Sequence, residues 1–243
     1  MNMRIVPIAT IHNAYRDKFG IPRQSGLAKG DLSYIVFNEE YRTPEAIREI
    51  EGYSHLWLIW HFSDMQARRT FSPTVRPPRL GGNKRVGVFA TRSPNRPNSM
   101  GLSSVRLTRV IKTEKYGHVL EIAGADILSG TAIFDIKPYV PYSDSHPEAI
   151  GGFADHFCDY ALTLDLPEHL AQKLDDKNRE VISDILRGDP RPSYQNDSER
   201  IYTLDYAKHK VSFSVEGDTL HVLDIKENED TGDEIYEYMR MHR

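Results

Sequence analysis

The stretch RVGVFATRSPNRPNSMGLSSVRL, residues 85–107, drives an arginine- and proline-rich loop between two strand-like runs. Val86, Val88 and Ala90 alternate with Gly87, Phe89 and Thr91 as one run, and residues 102–110 supply the next with β-branched and polar alternation. Pro94 and Pro97 fix φ and restrict the residues before them, so the loop is pre-shaped. Arg92 and Arg96 present planar five-donor forks from that frame, which suits carboxylate or phosphate recognition. Anion binding is the immediate inference.

Working outward, short strand-like runs at 4–11, 33–37, 56–62, 86–91, 102–110, 119–125 and 131–136 are separated by turn residues. One helix intervenes: Thr43 as N-cap, Pro44 at the first helical position and Glu45 in the first turn open a segment running to Ile50. Strands this closely spaced cannot all be joined by helical crossovers. Antiparallel pairing and closure into a barrel are therefore favoured over a doubly wound sheet. The expected fold is mainly β, of α+β class. An antiparallel β-barrel-like domain spans 1–140, a connecting segment 141–165, and a small α+β region 166–243. Within the last, residues 168–186 carry a helical stripe stopped by Gly188 and Pro190. Runs at 201–206, 210–215 and 219–225 make a meander whose second turn holds Glu216, Gly217 and Asp218. The charged residues 227–243 read as a frayed helix.

At 243 residues the chain can bury a substantial core without staples. Its single cysteine, Cys158, excludes an intramolecular disulfide and reads as a buried, inert thiol. With no apolar N-terminal run, and no apolar stretch long enough for a bilayer, the expectation is a soluble protein of the reducing cytoplasm that meets no membrane. The glycines at Gly81, Gly82 and Gly87 match neither a P-loop nor a dinucleotide fingerprint. The histidines lack metal spacing, His55 and His61 lying about 20 Å apart by strand rise, so no metal site is expected.

The net charge of −4 conceals segregation. Between Met65 and Arg109 lie Arg68, Arg69, Arg76, Arg79, Lys84, Arg85, Arg92, Arg96, Arg106 and Arg109 with no acidic residue, whereas the end of the chain is acidic. Such a basic block is a footprint of phosphate-backbone binding, with a solvated cationic surface as the alternative.

Asp126 and Asp135 end successive strand runs, and a tight turn around Ser129 and Gly130 would bring both to a common neighbourhood. There they either support Arg92 and Arg96 or orient a substrate. Lys137 and Tyr139 offer further donors at the same rim, Tyr139 with loop packing as its alternative. Arg23, Gln24, Ser25 and Gly26 form a polar loop that can hydrogen-bond a nucleoside edge or serve only as a turn.

Six blocks in one order carry a resemblance: PRQSGL at 22–27, SHLWLIW at 54–60, TVRPPRLGG at 74–82, ATRSPNRPNSMGLSSV at 90–105, DIKPY at 135–139 and DPRPSY at 189–194. Together the sequence resembles the TrmO (YaeB-type) tRNA methyltransferases over nearly its whole length. The resemblance implies a methyltransferase domain that binds S-adenosylmethionine. Arg23, Gln24 and Ser25 of the PRQ loop and Arg92 match cofactor-binding positions, as do Leu102 and the segment Gly124, Ala125, Asp126, Ile127 and Leu128. Ser63 and Asp64 match the stretch after SHLW, with local wording that departs from the family. Ser99 departs too, standing where relatives often carry proline. DPRPSY implies Arg191 and Tyr194, with Asp189, as tRNA-facing or positioning residues, a helix terminator with a structural arginine being the alternative. The implied reaction is N6-methylation of threonylcarbamoyl-adenosine 3′ of the anticodon, position 37, in the tRNA anticodon stem-loop, by a homodimer. Tyr139, Tyr142 and Phe153 are interface candidates. Arg96, Lys137 and Tyr139 are expected on the substrate and Asp135 or Asp126 as proton acceptor. A non-catalytic RNA-binding β-barrel and a regulatory SAM-binding protein are the two alternatives of other class.

Overall fold

The computed structural model describes residues 4–17, 19–62, 71–77, 84–191, 197, 199–228 and 233–242. Eight strands occupy the first part of the chain: β1 Ala9–His12, β2 Leu32–Phe37, β3 His55–His61, β4 Thr74–Val75, β5 Val86–Gly87, β6 Met100–Thr113, β7 Gly117–Ala123 and β8 Ala132–Pro138. Six of them pair in the order β1-β2-β7-β6-β3-β8, and β8 returns to β1, so the sheet closes on itself. Every pairing in it is antiparallel, as the close spacing of the runs requires. Closure leaves no edge to template aggregation.

Alternation decides which side chains fill the closed sheet. Leu56, Leu58 and Trp60 point inward from β3, Val105 and Leu107 from β6, Leu120 and Ile122 from β7. An extra residue at Thr108, where the β6–β7 register shifts between Leu107 and Arg109, reverses the phase, so that Val110 packs against the inner core. β2 is buried along its whole length. Its Ile35 and Phe37 face the inner core, whereas Tyr34 and Val36 belong to a second core shared with the C-terminal part of the chain. Burying Val36 on that outer face contributes about 1.5–3 kcal/mol.

The C-terminal part contains β9 Thr163–Asp165, β10 Tyr202–Tyr206, β11 His209–Glu216 and β12 Thr219–Glu227, in the order β10-β11-β12-β9 with β9 parallel to β12. Four helices accompany them: α1 Pro141–Asp144, α2 Glu168–Ala171, α3 Asp176–Arg187 and α4 Glu234–Met241. Gly217, at φ 57°, makes the tight β11–β12 turn.

Several expectations are corrected. Residues 43–50 form no α-helix. Two 3-10 turns, Pro44–Ile47 and Ile50–Gly52, are separated by Glu49 in the left-handed region at φ 68°, and Thr43 makes no cap to the backbone. The run 86–91 keeps strand geometry only at Val86–Gly87, because Val88 is buried and its N–H turns to the Pro73 carbonyl, starting a 3-10 turn at Val88–Ala90. The run at 4–11 pairs only from Ala9. The stripe 168–186 is two helices, since Asp175 caps a new one by accepting the Asn178 N–H. The C-terminal residues are not a frayed helix: α4 buries Tyr236 and Met239. Cys158 is exposed, its thiol facing Asp159 at 3.4 Å.

Candidate active site

Three long connections leave the closed sheet at one end. Residues 13–31 join β1 to β2, 62–99 join β3 to β6, and 124–131 join β7 to β8. They carry the PRQ loop, the arginine loop and the Gly124–Leu128 segment respectively, so antiparallel closure brings together three stretches that are far apart in sequence.

They touch one another. The Gly26 N–H donates to the Gly124 carbonyl at 2.8 Å. Gly124 sits at φ 77°, and a Cβ there would lie 3.2 Å from Gly26 Cα, so this close backbone approach requires glycine. Arg92 Nη1 donates to Gln24 Oε1 at 2.6 Å, tying the arginine loop to the PRQ loop. Asp126 stands between them. Ser103 Oγ donates to Asp126 Oδ1 at 2.5 Å, the Ser25 N–H and the Arg92 charge act on the same carboxylate, and Trp60 Nε1 donates to Ser103 Oγ at 3.0 Å. Because the indole N–H only donates, the serine proton is committed to Asp126. Gly101, opposite Trp60 in the ladder, lets the indole lie across the strand, for a Cβ there would fall 2.2 Å from the ring.

Loss of water around Asp126 raises its pKa, and Ser103, Arg92 and Ser25 only partly offset this. The result is a carboxyl more basic than a free aspartate, held beside the Arg92 guanidinium and the Ser25 N–H. Such a group can accept a proton from a weakly acidic N–H.

Residues 10–145 match the tRNA-methyltransferase O N-terminal domain and residues 160–228 the TrmO C-terminal domain. The chain belongs to the TrmO family. It is 36% identical over 198 residues to the tRNA (adenine(37)-N6)-methyltransferase of Escherichia coli, covering 79% of this chain and 83% of that protein. It is 39% identical over 138 residues to a Pyrococcus abyssi protein named "Probable S-adenosyl-L-methionine-binding protein", covering 57% of this chain and 68% of that one. A crystal structure of TrmO from P. aeruginosa superposes with a TM-score of 0.73 at 31% identity, over 94% of this chain and 98% of that one.

Of the positions that TrmO membership suggests for the cofactor, Gln24, Ser25, Arg92, Gly124 and Asp126 converge at this end. Ala125 and Ile127 are fully buried in the inner core, so they present backbone alone, and the Ile127 carbonyl already accepts from Asn13 Nδ2. Leu128 is half-buried. Leu102 points to the outer face and is 56% exposed, away from Ser103. Ser63, Asp64 and Tyr194 lie outside the described residues.

Arg23 turns from Gln24 toward the C-terminal part, donating to the carbonyls of Asp189 and Arg191 at 2.7 and 2.9 Å. Arg191 is not displayed to a substrate. It is buried and grips Asp189 with two prongs, at 2.8 and 3.0 Å, while Tyr160 donates to the same carboxylate. This is the structural arginine that the DPRPSY block also allowed.

Asp126 and Asp135 do not share a neighbourhood. Asp135 is paired opposite Ile59 on the outer face of β8 and holds Lys137 at 2.7 Å. Lys137 and Tyr139 are not at the arginine-loop rim either, because β8 runs away from it: Ile133 pairs with Trp60, whereas Pro138 pairs with Leu56. Tyr139 packs against Trp57 and His55 at the far end. Arg96 braces its own loop, donating to the Thr91 carbonyl at 2.6 Å. Ser103 was missed by sequence reasoning, although a polar residue in the inward phase of an otherwise apolar strand was a usable signal.

Proposed function

We propose that this chain is an S-adenosylmethionine-dependent methyltransferase that methylates N6 of adenosine 37 in tRNA. The observation that carries this is the meeting of Gln24, Arg92 and Asp126 at one end of the closed sheet, in a chain similar along most of its length to a protein of that activity. The closed sheet serves as the barrel-like catalytic domain, residues 1–140. Residues 166–243 form the smaller C-terminal domain, joined by 141–165. S-adenosylmethionine, when bound, supplies a methyl group on a sulfonium sulfur that departs as a neutral thioether. Gln24, Ser25, Arg92 and the Gly124–Asp126 backbone would hold it. A Cβ on Gly26 would meet nothing within 4 Å, which leaves open space there for a flat ligand edge, and the donor set fits a molecule carrying amino, carboxylate and ribose groups.

The acceptor is adenosine bearing a threonylcarbamoyl group in the anticodon stem-loop. Its N6 is a poor nucleophile because the lone pair is delocalised into the purine and the carbonyl. As the N–C bond forms, Asp126 receives the N6 proton, so charge balances without another reagent. The remaining loop arginines meet the threonyl carboxylate or phosphate. Positioning of the two substrates supplies most of the acceleration. The enzyme works in the cytoplasm as a homodimer, the arrangement in which Lys137 and Tyr139 reach a substrate from a second copy.

Transfer of labelled methyl from S-adenosylmethionine to tRNA with and without the threonylcarbamoyl group tests this. Label confined to the modified pool is the expected result. Binding of the cofactor with no label in either pool would instead favour a regulatory SAM-binding protein.

A further inference from the structure

We infer that Phe89 and Phe71 form a stacking platform for an unpaired nucleobase of the RNA substrate, beside the reacting nucleotide; this rests on the tRNA reading above. Phe89 is 73% exposed and Phe71 60% exposed, and their rings stack at 6.4 Å with an interplanar angle of 26°. The Arg96 guanidinium carbon lies 5.9 Å from the centre of the Phe89 ring, so the exposed ring pair sits beside a fixed cation.

The turn that shows Phe89 to solvent is fixed. Val88 beside it is 1% exposed, and its N–H donates to Pro73 O at 2.9 Å. Thr91 Oγ1 closes the turn on the Val88 carbonyl at 2.8 Å, and Arg96 holds the Thr91 carbonyl. β4 and β5 pair Thr74 with Gly87 and Val75 with Val86, which sets the Phe71 segment alongside. A large ring held in water by a rigid frame marks a contact surface.

The surroundings select the occupant. Arg76, Lys84, Arg85 and Arg92 are exposed along the same stretch, and no acidic residue occurs between Met65 and Arg109. A flat apolar group flanked by negative charge answers this pattern, which describes a base on its phosphate backbone. Phe89 is three residues before Arg92, at most about 11 Å of chain. The stacked base therefore belongs to a nucleotide close to the one being methylated.

The test is titration of threonylcarbamoylated tRNA onto the full chain at several salt concentrations, for the wild type, Phe89→Ala, Phe71→Ala and Phe89→Trp. Phe89→Ala is expected to raise the tRNA Kd roughly tenfold or more, with the slope against log salt and the S-adenosylmethionine Kd unchanged. Phe89→Trp restores binding, and Arg85→Gln, unlike the Phe variants, flattens the salt slope by about one. Wild-type affinity in Phe89→Ala, failure of Phe89→Trp to restore it, or a changed molar mass marking a protein–protein contact would overturn the inference. A wild-type chain that does not bind tRNA would remove the functional reading itself, and the platform with it.

Discussion

Asp126 is a carboxyl made basic by burial, against which one hydroxyl, one guanidinium and two backbone N–H groups pull its pKa down. Its raised pKa gives turnover an acid limb: activity rises with pH as Asp126 deprotonates, then levels. Asp126→Asn is expected to lower kcat by about 10²–10⁴ and abolish that limb while leaving S-adenosylmethionine binding measurable. Asp135→Asn, on the outer face, should leave the limb in place. Ser103→Ala removes a donor that favours the charged form, so the limb should move to higher pH, as a kcat profile would show. At Gly101 a methyl group displaces the Trp60 indole, so Gly101→Ala should cost about 1–3 kcal/mol and shift the tryptophan emission. That Arg92 is displayed to solvent was legible in the sequence, because a proline-framed loop presents it without help from burial elsewhere, whereas its bond to Gln24 was not. The fates of Arg23 and Arg191 were not, since Arg23 is spent on carbonyls more than 160 residues away.

At the scale of elements, strands were legible where alternation met a two-sided environment, as in β3 with Leu56, Leu58 and Trp60 inward. Helices were not, because single residues override propensity: left-handed Glu49 breaks 43–50, and capping Asp175 restarts 168–186. The docking of α4 was illegible for a different reason. It depends on Asp233, which caps the helix through the Tyr236 N–H at 2.9 Å, takes the His12 imidazole at 2.9 Å and accepts from Ser129 Oγ. Burial pushes the Asp233 pKa up, but the bonds from His12, Ser129 and Tyr236 outweigh it and leave it below the usual range. Asp233→Ala should destabilise by about 2–3 kcal/mol, the sum of a lost cap and a lost charged bond. Hydrogen exchange should quicken in α4 while β11 and β12 stay protected. Asp233→Asn keeps the cap and should cost less.

The whole molecule is held together across β2, whose two faces belong to two cores, and the polar seal of that junction is Asp31. Asp31 is fully buried, and Tyr206 of the C-terminal sheet donates to its Oδ1 at 2.6 Å. The Tyr15 and Ser33 hydroxyls lie beside it, and Lys177 attracts its charge. Burial nevertheless wins and carries its pKa to about 7. The folded chain therefore holds a proton at this site between about pH 4 and 7 that the unfolded chain has released. More protons bound in the native state means that this contribution to stability falls as pH rises through that window and is flat above it. Its size is on the order of 4 kcal/mol. Asp189 and Asp233, with lowered pKa values, titrate below the window, whereas the burial-raised carboxyls Asp126 and Asp184 add to the fall within it and His209, lowered by burial, opposes it, so the Asp31 contribution is read from the difference between wild type and variant. Asp31→Asn keeps an acceptor for Tyr206 and cannot ionise. Urea unfolding at pH 5 and pH 8 should show the wild type losing stability on going to pH 8 and the variant losing much less. Equal losses in the two would place the pH-sensitive group elsewhere, and would leave the apolar faces of Tyr34 and Val36, rather than the Asp31 seal, as what joins the two sheets.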